Sequence, residues 1–311
     1  VVQKKWILLV VIVCVVFFRL ANATTDDQAA INDNGADSPP NVGNFALPAP
    51  QQPGPLLSFG QTLIGRNHVQ IAYSNYTVIP RSGGGDNRNI ELMYGFTDAT
   101  ALYFNYPLES NYSTRHSRFS SLNDAILQLE HAVYTAGNTN YQEQATVVGL
   151  MTLPLQSTTE VRLRSATNRH ISVGYGAPVY FLGATYNRTY VDWLGFVSPG
   201  VLITSVSDNV KLGSQALYQA GLGHTIKTVT DRYIFLWLLE FQGQYTAKDE
   251  IFGNSLRDTG GNVISLAPSL WFSTQRLILQ AGVNIPVMQH LNGNQTKTNY
   301  AIAAMLTWTI A

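Results

Sequence analysis

From residue 68 to the end of the chain, apolar and polar positions alternate with the period of two that belongs to a strand with two unlike faces. In the final stretch, Tyr300, Ile302, Ala304, Leu306, Trp308 and Ile310 fall on one face and Ala301, Ala303, Met305, Thr307 and Thr309 on the other. A sharper contrast appears where Tyr233, Phe235, Trp237, Leu239, Phe241 and Tyr245 oppose Glu240, Gln242 and Gln244. Read as a helix, those three polar residues would scatter around the axis.

Such segments recur at Val69 to Ser74, 89–96, 99–106, 125–133, 143–155, 170–186, 190–205, 211–226, 233–245, 262–273, 275–287 and 299–310. They predict about twelve strands, an even number as single-chain bacterial barrels require. The connections sort by parity. Those near Thr97-Asp98, Gly137-Asn138, Asn187-Arg188, Thr230-Asp231 and Ser273-Thr274 are short, and the alternate set near 80–87, 109–121, 156–169, 247–261 and 289–298 is longer. Ser205 to Asn209 is short for its set, and the glycines and prolines of 170–205 leave the register there open.

The fold expected is therefore all-β: a transmembrane antiparallel barrel of the outer-membrane type, with both termini on the periplasmic, short-turn side. Closure matters because an open sheet edge in hydrocarbon would leave peptide groups unpaired. Tyr73, Tyr94, Tyr106, Trp193, Tyr233, Trp271 and Trp308, near segment ends, suit the aromatic girdles of the interfaces. A soluble exported sandwich would share the alternation, but composition turns the balance toward a barrel. Charged residues make up only 12 % of the chain, about half the usual share. The 19 basic and 19 acidic residues cancel, so no net field draws nucleic acid.

Upstream of the strands, Lys4 and Lys5, the apolar run Trp6 to Phe18, and Ala21 and Ala23 have the layout of a secretory signal over residues 1–23. Cys14, the only cysteine, would leave with it. Residues 24–65 are rich in Pro, Asn, Asp and Gly and should stay extended. The simpler reading of this segment is a periplasmic tail. The alternative is an arm that enters the barrel mouth as a partial plug, pinned by Leu56, Leu57 and Phe59, with residues 66–311 forming the barrel.

The run Glu91-Leu92-Met93-Tyr94-Gly95-Phe96-Thr97-Asp98-Ala99-Thr100-Ala101-Leu102 is a strand, a tight turn and a returning strand. Together with Val147 to Pro154 and Gly221 to Ile226, it resembles the bacterial family labelled "MetA-pathway of phenol degradation". The second run lacks the lysine and final glycine of that family's corresponding strand. The resemblance implies an exported outer-membrane barrel, with an association to small hydrophobic compounds. It implies no enzyme.

Chemistry-bearing residues are sparse and dispersed. His68, His116, His131, His170 and His224 form no close metal-ligand spacing, and no GxSxG occurs. Glu130 and His131 are strand neighbours and should point to opposite faces. No catalytic residue, metal or cofactor is expected.

The lumen-facing candidates are Asp124, Gln128, Glu130, Glu240, Gln242, Gln244, Gln280 and Asn284. Acids and amides without an arginine ladder fit small neutral or weakly amphipathic solutes better than anions. The expected function is a channel or transporter for small hydrophobic or aromatic solutes that diffuse through the lumen. The alternative is a closed structural or surface-recognition barrel. Arg115, His116, Arg118, Arg162, Arg164, Arg169, Lys248 and Arg257 would make its outer loops basic toward lipopolysaccharide. Outer-membrane lipids, lipopolysaccharide and the barrel-assembly machinery are the expected partners. The sequence does not choose between monomer and homo-oligomer.

Overall fold

The computed structural model describes residues 39–60, 63–81, 84–113, 118–121, 124–155, 177–207 and 209–310, with the backbone alone for 112, 113 and 118–121. Its long strands are β1 (Val69–Pro80), β2 (Gly84–Thr97), β3 (Thr100–Ser113), β4 (Ala125–Gly137), β5 (Tyr141–Leu153), β6 (Val179–Tyr190), β7 (Trp193–Thr204), β8 (Gln215–Val229), β9 (Tyr233–Thr246), β10 (Gly261–Thr274), β11 (Leu277–Leu291) and β12 (Thr298–Ile310). Each pairs antiparallel with its neighbours in sequence. β1 also pairs with β12 from Val69↔Ile310 to Ile79↔Tyr300, which closes the sheet. The remaining member of the 13-stranded sheet, Arg118–Ser121, only extends β3, so the barrel has 13 − 1 = 12 strands. This is the all-β closed barrel of the outer-membrane type that the alternation predicts.

Closure explains the alternation. Ile71, Tyr73, Leu182, Val201, Leu239, Leu306, Trp308 and Ile310 cover the outside, while Gln70, Ala72, Ser198, Glu240, Thr307 and Thr309 are buried inside. Strands of 12 to 15 residues exceed the roughly 10 that a tilted strand needs to cross hydrocarbon. Their outward apolar side chains therefore meet lipid, and their ends reach beyond it.

The tight turns fall together at one end, between Thr97 and Thr100, Gly137 and Tyr141, Tyr190 and Trp193, Val229 and Tyr233, and Thr274 and Leu277. One expected turn moves. Asn187 and Arg188 lie inside β6, paired with Phe196 and Gly195, and the chain reverses at Val191-Asp192. The strand continues because Arg188 also stands opposite Glu143 across β5. The β7 to β8 connection is likewise more than a short loop. Its Val206–Ser207 and Val210–Lys211 join Glu250–Ile251 and Asn254–Ser255 in a separate four-stranded sheet at the long-loop end. Residues 170–176, where β6 was expected to begin, lie outside the described residues, as do residues 1–38.

Residues 39–60 and 63–68 run against the inner wall. At the short-turn end Thr230 Oγ1 donates to the Asn41 carbonyl at 2.9 Å, the Asp231 N–H to the Ala46 carbonyl at 3.0 Å, and the Asn44 N–H to the Val191 carbonyl at 2.6 Å. Gly43 makes that last approach possible. Its φ is +58°, and a Cβ there would sit 2.0 Å from the Val191 oxygen. Farther along, the segment climbs to the level of Glu240 and then returns. The Asn67 N–H donates to the Gly95 carbonyl at 2.8 Å, and the Gly95 N–H donates to the His68 carbonyl at 3.1 Å, before β1 begins. A Cβ on Gly95 would lie 1.8 Å from the Gly65 oxygen. The glycine of the Tyr94-Gly95-Phe96-Thr97-Asp98 turn is thus the seat of the returning segment.

Inside the short-turn half, Ala46 and Leu47 pack with Leu194, Phe196, Ile234, Leu236, Leu238, Trp271 and Ile278. Trp271 is only 4 % exposed and therefore belongs to this interior cluster rather than to the girdle. The reason is register. Trp271 shares its face with Ser269 and Ser273, both buried, and pairs with the inward Leu236 and Gln280.

Candidate functional site in the barrel interior

Glu240 lies on the inward face of β9, above Ile234, Leu236 and Leu238, and has no exposed surface. Its carboxylate meets the backbone of the inner segment. Oε1 accepts from the Leu56 N–H at 2.8 Å, and both oxygens accept from the Leu57 N–H at 3.2 Å. Oε2 accepts from the Ser58 N–H at 2.8 Å, from Ser58 Oγ at 2.7 Å and from Gln242 Nε2 at 3.0 Å. Burying a carboxylate without a cation is costly, and dense donation from oriented N–H groups is what compensates it.

Neighbouring wall residues extend the grip. Gln242 Nε2 also reaches Ser58 Oγ at 2.7 Å, and Gln219 Oε1 accepts from the Phe59 N–H at 3.2 Å. Thr185 Oγ1 donates to the Phe59 carbonyl at 3.3 Å, and Gln280 Nε2 to the Gly54 carbonyl at 3.0 Å. The Phe59 ring meets Phe181 edge-on at 4.7 Å. Nearer the short-turn end, Ser273 Oγ donates to the Gln51 carbonyl at 2.9 Å and Gln70 Nε2 to the Pro50 carbonyl at 2.7 Å. Thr309 Oγ1 accepts from Gln70 Nε2 at 2.9 Å and also from Gln51 Nε2.

A second polar group stands on β2 to β4, half the barrel circumference away from β8 to β10 in strand order. Glu91 accepts from Ser74 Oγ at 2.5 Å and from Asn105 Nδ2 at 3.3 Å, and Asn105 also reaches the Tyr103 hydroxyl at 3.1 Å. Glu130, fully buried, accepts from Gln128 Nε2 at 2.6 Å.

Of the eight residues singled out by alternation, the structure draws Glu240, Gln242 and Gln280 together around the inner segment. Gln128 and Glu130 meet each other on β4. Asp124 is buried just before that strand. Asn284 Nδ2 donates to the Tyr76 hydroxyl at 3.3 Å, and Gln244, exposed, donates to Gln215 Oε1 at 2.9 Å toward the long-loop end. Alternation overlooked Glu91, Gln70 and Gln219, although each lies between two outward residues and carries the same signal. Among the described residues, the buried ionisable side chains are Glu91, Asp124, Glu130 and Glu240, all acidic.

Three of the four histidines within the described residues have assigned partners, all away from this group, and the fourth, His290, stands on β11 opposite Asn262. His224 packs against Trp193 at 4.2 Å and stacks on Trp237 at 6.4 Å, His131 Nδ1 meets Thr100 Oγ1 at 2.9 Å, and His68 Nδ1 lies 3.0 Å from the Arg66 carbonyl. His116 and His170 lie outside the described residues, and so do Arg115, Arg162, Arg164 and Arg169. No three His, Cys, Asp or Glu among the described residues are grouped to hold a metal ion. On the outer wall, Val197, Pro199, Tyr218, Gln219, Ala220 and Phe241 line a groove of about 350 Å³.

No family model and no curated protein matches the chain. Solved structures do. The COG4313 outer membrane channel from Pseudomonas putida F1 aligns with a TM-score of 0.60 at 12 % identity, over 83 % of this chain and 99 % of that one. LpxR from Salmonella typhimurium aligns at 0.45 and 9 % identity, over 78 % and 99 %. The CymD monoaromatic hydrocarbon channel aligns at 0.34 and 12 % identity, over 87 % and 97 %. At these identities the likeness is one of fold alone, that of a closed outer-membrane β-barrel.

Proposed function

We propose that the protein is an outer-membrane channel for small hydrophobic or aromatic solutes, which diffuse passively through the barrel interior. Short turns and both chain termini face the periplasm in this reading, and the long loops face outward toward lipopolysaccharide. Residues 39–68 act as a partial plug held by Glu240. The observation that carries the reading is the inner wall itself. Leu194, Phe196, Ile234, Leu236, Leu238 and Trp271 face inward beneath Ala46 and Leu47, so displacement of the inner segment would uncover an apolar wall where a water-filled pore presents polar groups. Above them the ionisable groups are carboxylates, which disfavour anions.

The test joins conductance in planar bilayers, with salts of differing ions, to uptake of apolar aromatic compounds in a deletion strain complemented with this chain. Low conductance without anion preference, together with uptake restored by the chain, is the expected result. Clear anion preference with unchanged aromatic uptake would overturn the reading.

A second reading, a closed structural or recognition barrel, is favoured by the dense hydrogen bonding of Gly54 to Phe59 to the wall. Absence of both conductance and uptake, even after deletion of residues 39–60, would select it.

A further inference from the structure

The outer face carries a charged group that the channel reading leaves unused. At the short-turn ends of β4, β5 and β6, Glu143 and Arg188 stand directly opposite each other on paired strands, two residues from the Tyr141↔Tyr190 pair that ends the ladder. Tyr134 donates to Glu143 Oε1 at 2.8 Å and Tyr186 to Oε2 at 2.7 Å. The Arg188 guanidinium lies 3.7 Å from the centre of the Tyr141 ring and 5.3 Å from that of Tyr190, with Nε 3.6 Å from Glu143 Oε2.

The backbone builds this group. A register shift between Ala132 and Tyr134 breaks the alternation of β4 and brings Tyr134 to the outside, where it is 46 % exposed. Without that bulge Tyr134 would share the inward face of Glu130 and Ala132.

Two features point to a ligand. Arg188 is oriented by aromatic stacking and by an ion pair that takes up its buried Nε, yet it donates no hydrogen bond among the described residues, so its terminal guanidinium nitrogens are left for an outside acceptor. A guanidinium at a lipid-facing rim, fixed flat and short of acceptors, matches the planar geometry of a phosphate. The group as a whole is neutral, one carboxylate against one guanidinium, so it suits a dipolar ligand better than a purely anionic one. Aromatic rings beside it supply faces for a cation. The nearby Trp193 and Trp237, 6.2 Å apart, add to the aromatic belt that marks the headgroup level.

We infer that this cluster binds the headgroup of a zwitterionic phospholipid, with the phosphate on Arg188 and the primary ammonium toward Glu143 and the tyrosine rings. The source is the periplasmic leaflet, and in this respect the inference rests on the orientation proposed above.

The full chain, purified in mild detergent and delipidated, is titrated by native mass spectrometry with phosphatidylethanolamine, phosphatidylcholine and phosphatidylglycerol of one acyl composition. Wild type retains phosphatidylethanolamine in preference to the others. Arg188→Met lowers that affinity by about ten-fold, the loss expected of a charge-assisted contact. Arg188→Lys falls between the two, and Glu143→Gln removes the preference over phosphatidylglycerol. Thermal melting separates binding from mere scaffolding, because phosphatidylethanolamine raises the wild-type melting temperature but not that of Arg188→Met. Chain-free O-phosphoethanolamine shifts neither. Wild-type indifference to headgroup, or undiminished binding by Arg188→Met, overturns the inference. A separate variant, Thr139→Cys in the turn beside the cluster, is treated in intact cells with a membrane-impermeant maleimide. It stays unlabelled if the short turns are periplasmic. Labelling overturns the orientation and the leaflet assignment, while the headgroup preference is decided by the detergent titration alone.

Discussion

The two acidic regions of the barrel interior solve the same electrostatic problem in different ways. On β9, Glu240 takes its donors from the backbone of Leu56, Leu57 and Ser58. On β2, Glu91 takes them from the side chains of Ser74 and Asn105 in the adjoining strands. One wall is complete only with the inner segment in place, and the other completes itself. A carboxylate satisfied from outside its own sheet is a latch, whereas one satisfied from inside is a lining. This difference places the movable side of the passage along β8 to β11 in the proposed mechanism, and the fixed side along β2 to β4.

The largest break in that comparison is expected from Glu240→Ala. It removes the acceptor for the Leu56, Leu57 and Ser58 N–H groups at once, and each buried donor left unpaired costs roughly 1–3 kcal/mol. Conductance should rise and residues 50–60 should become accessible to protease, while the strand content read by circular dichroism stays that of the unsubstituted chain. Unchanged protection of that segment would remove Glu240 from the role of latch.

Gly43→Ala should act lower down and more weakly. Placing a side chain at φ +58°, against the Val191 oxygen, costs about 1–3 kcal/mol of strain. Faster amide exchange at Asn44 to Leu47, with the Leu56 to Ser58 amides still protected, is the expected pattern. Uniform loss of protection would mean that the segment detaches as one unit.

The smallest effect is expected from Glu91→Gln, which keeps the shape and most acceptors and should cost about 1 kcal/mol or less in net hydrogen bonding. Amide protection of residues 54–59 should be unaltered, and only the cation preference of any residual conductance should fall. Release of the segment by this variant would erase the distinction between the two walls.

Much of the barrel was legible in alternation because lipid outside and a filled interior impose unlike chemistry on the two faces of every strand. The strand number and the grouping of short turns follow from that physics. What escaped has identifiable causes. Trp271 shares the face of Ser265, Ser269 and Ser273, opposite Leu266 and Leu270, so the alternation itself turns it inward; its place in the girdle followed from residue type and nearness to a strand end rather than from its face. The β6 to β7 reversal was placed too early because Asn187-Arg188 has the composition of a turn, while its cross-strand partner Glu143 holds it in the ladder. The grip on Leu56 to Ser58 had no local signature at all. Backbone N–H groups are the same in every sequence, and their acceptor is more than 180 residues away. The sequence marks Leu56, Leu57 and Phe59 as residues able to pin that segment through their side chains. The main chain does at least as much.

Thr309 gives the closure of the sheet a further meaning. It sits on β12 and is bonded both by Gln70 of β1 and by Gln51 of the inner segment. The β1–β12 ladder joins the strands most distant in sequence, so its formation carries the largest loop-closure cost and is expected late in folding. Pro50, bonded by Gln70 of β1, and Gln51, bonded to Thr309 of β12, therefore work together as a clasp across the last seam to form. Interactions made after the folding transition state chiefly slow unfolding. By that logic the inner segment governs how long a finished barrel persists more than how quickly one is made.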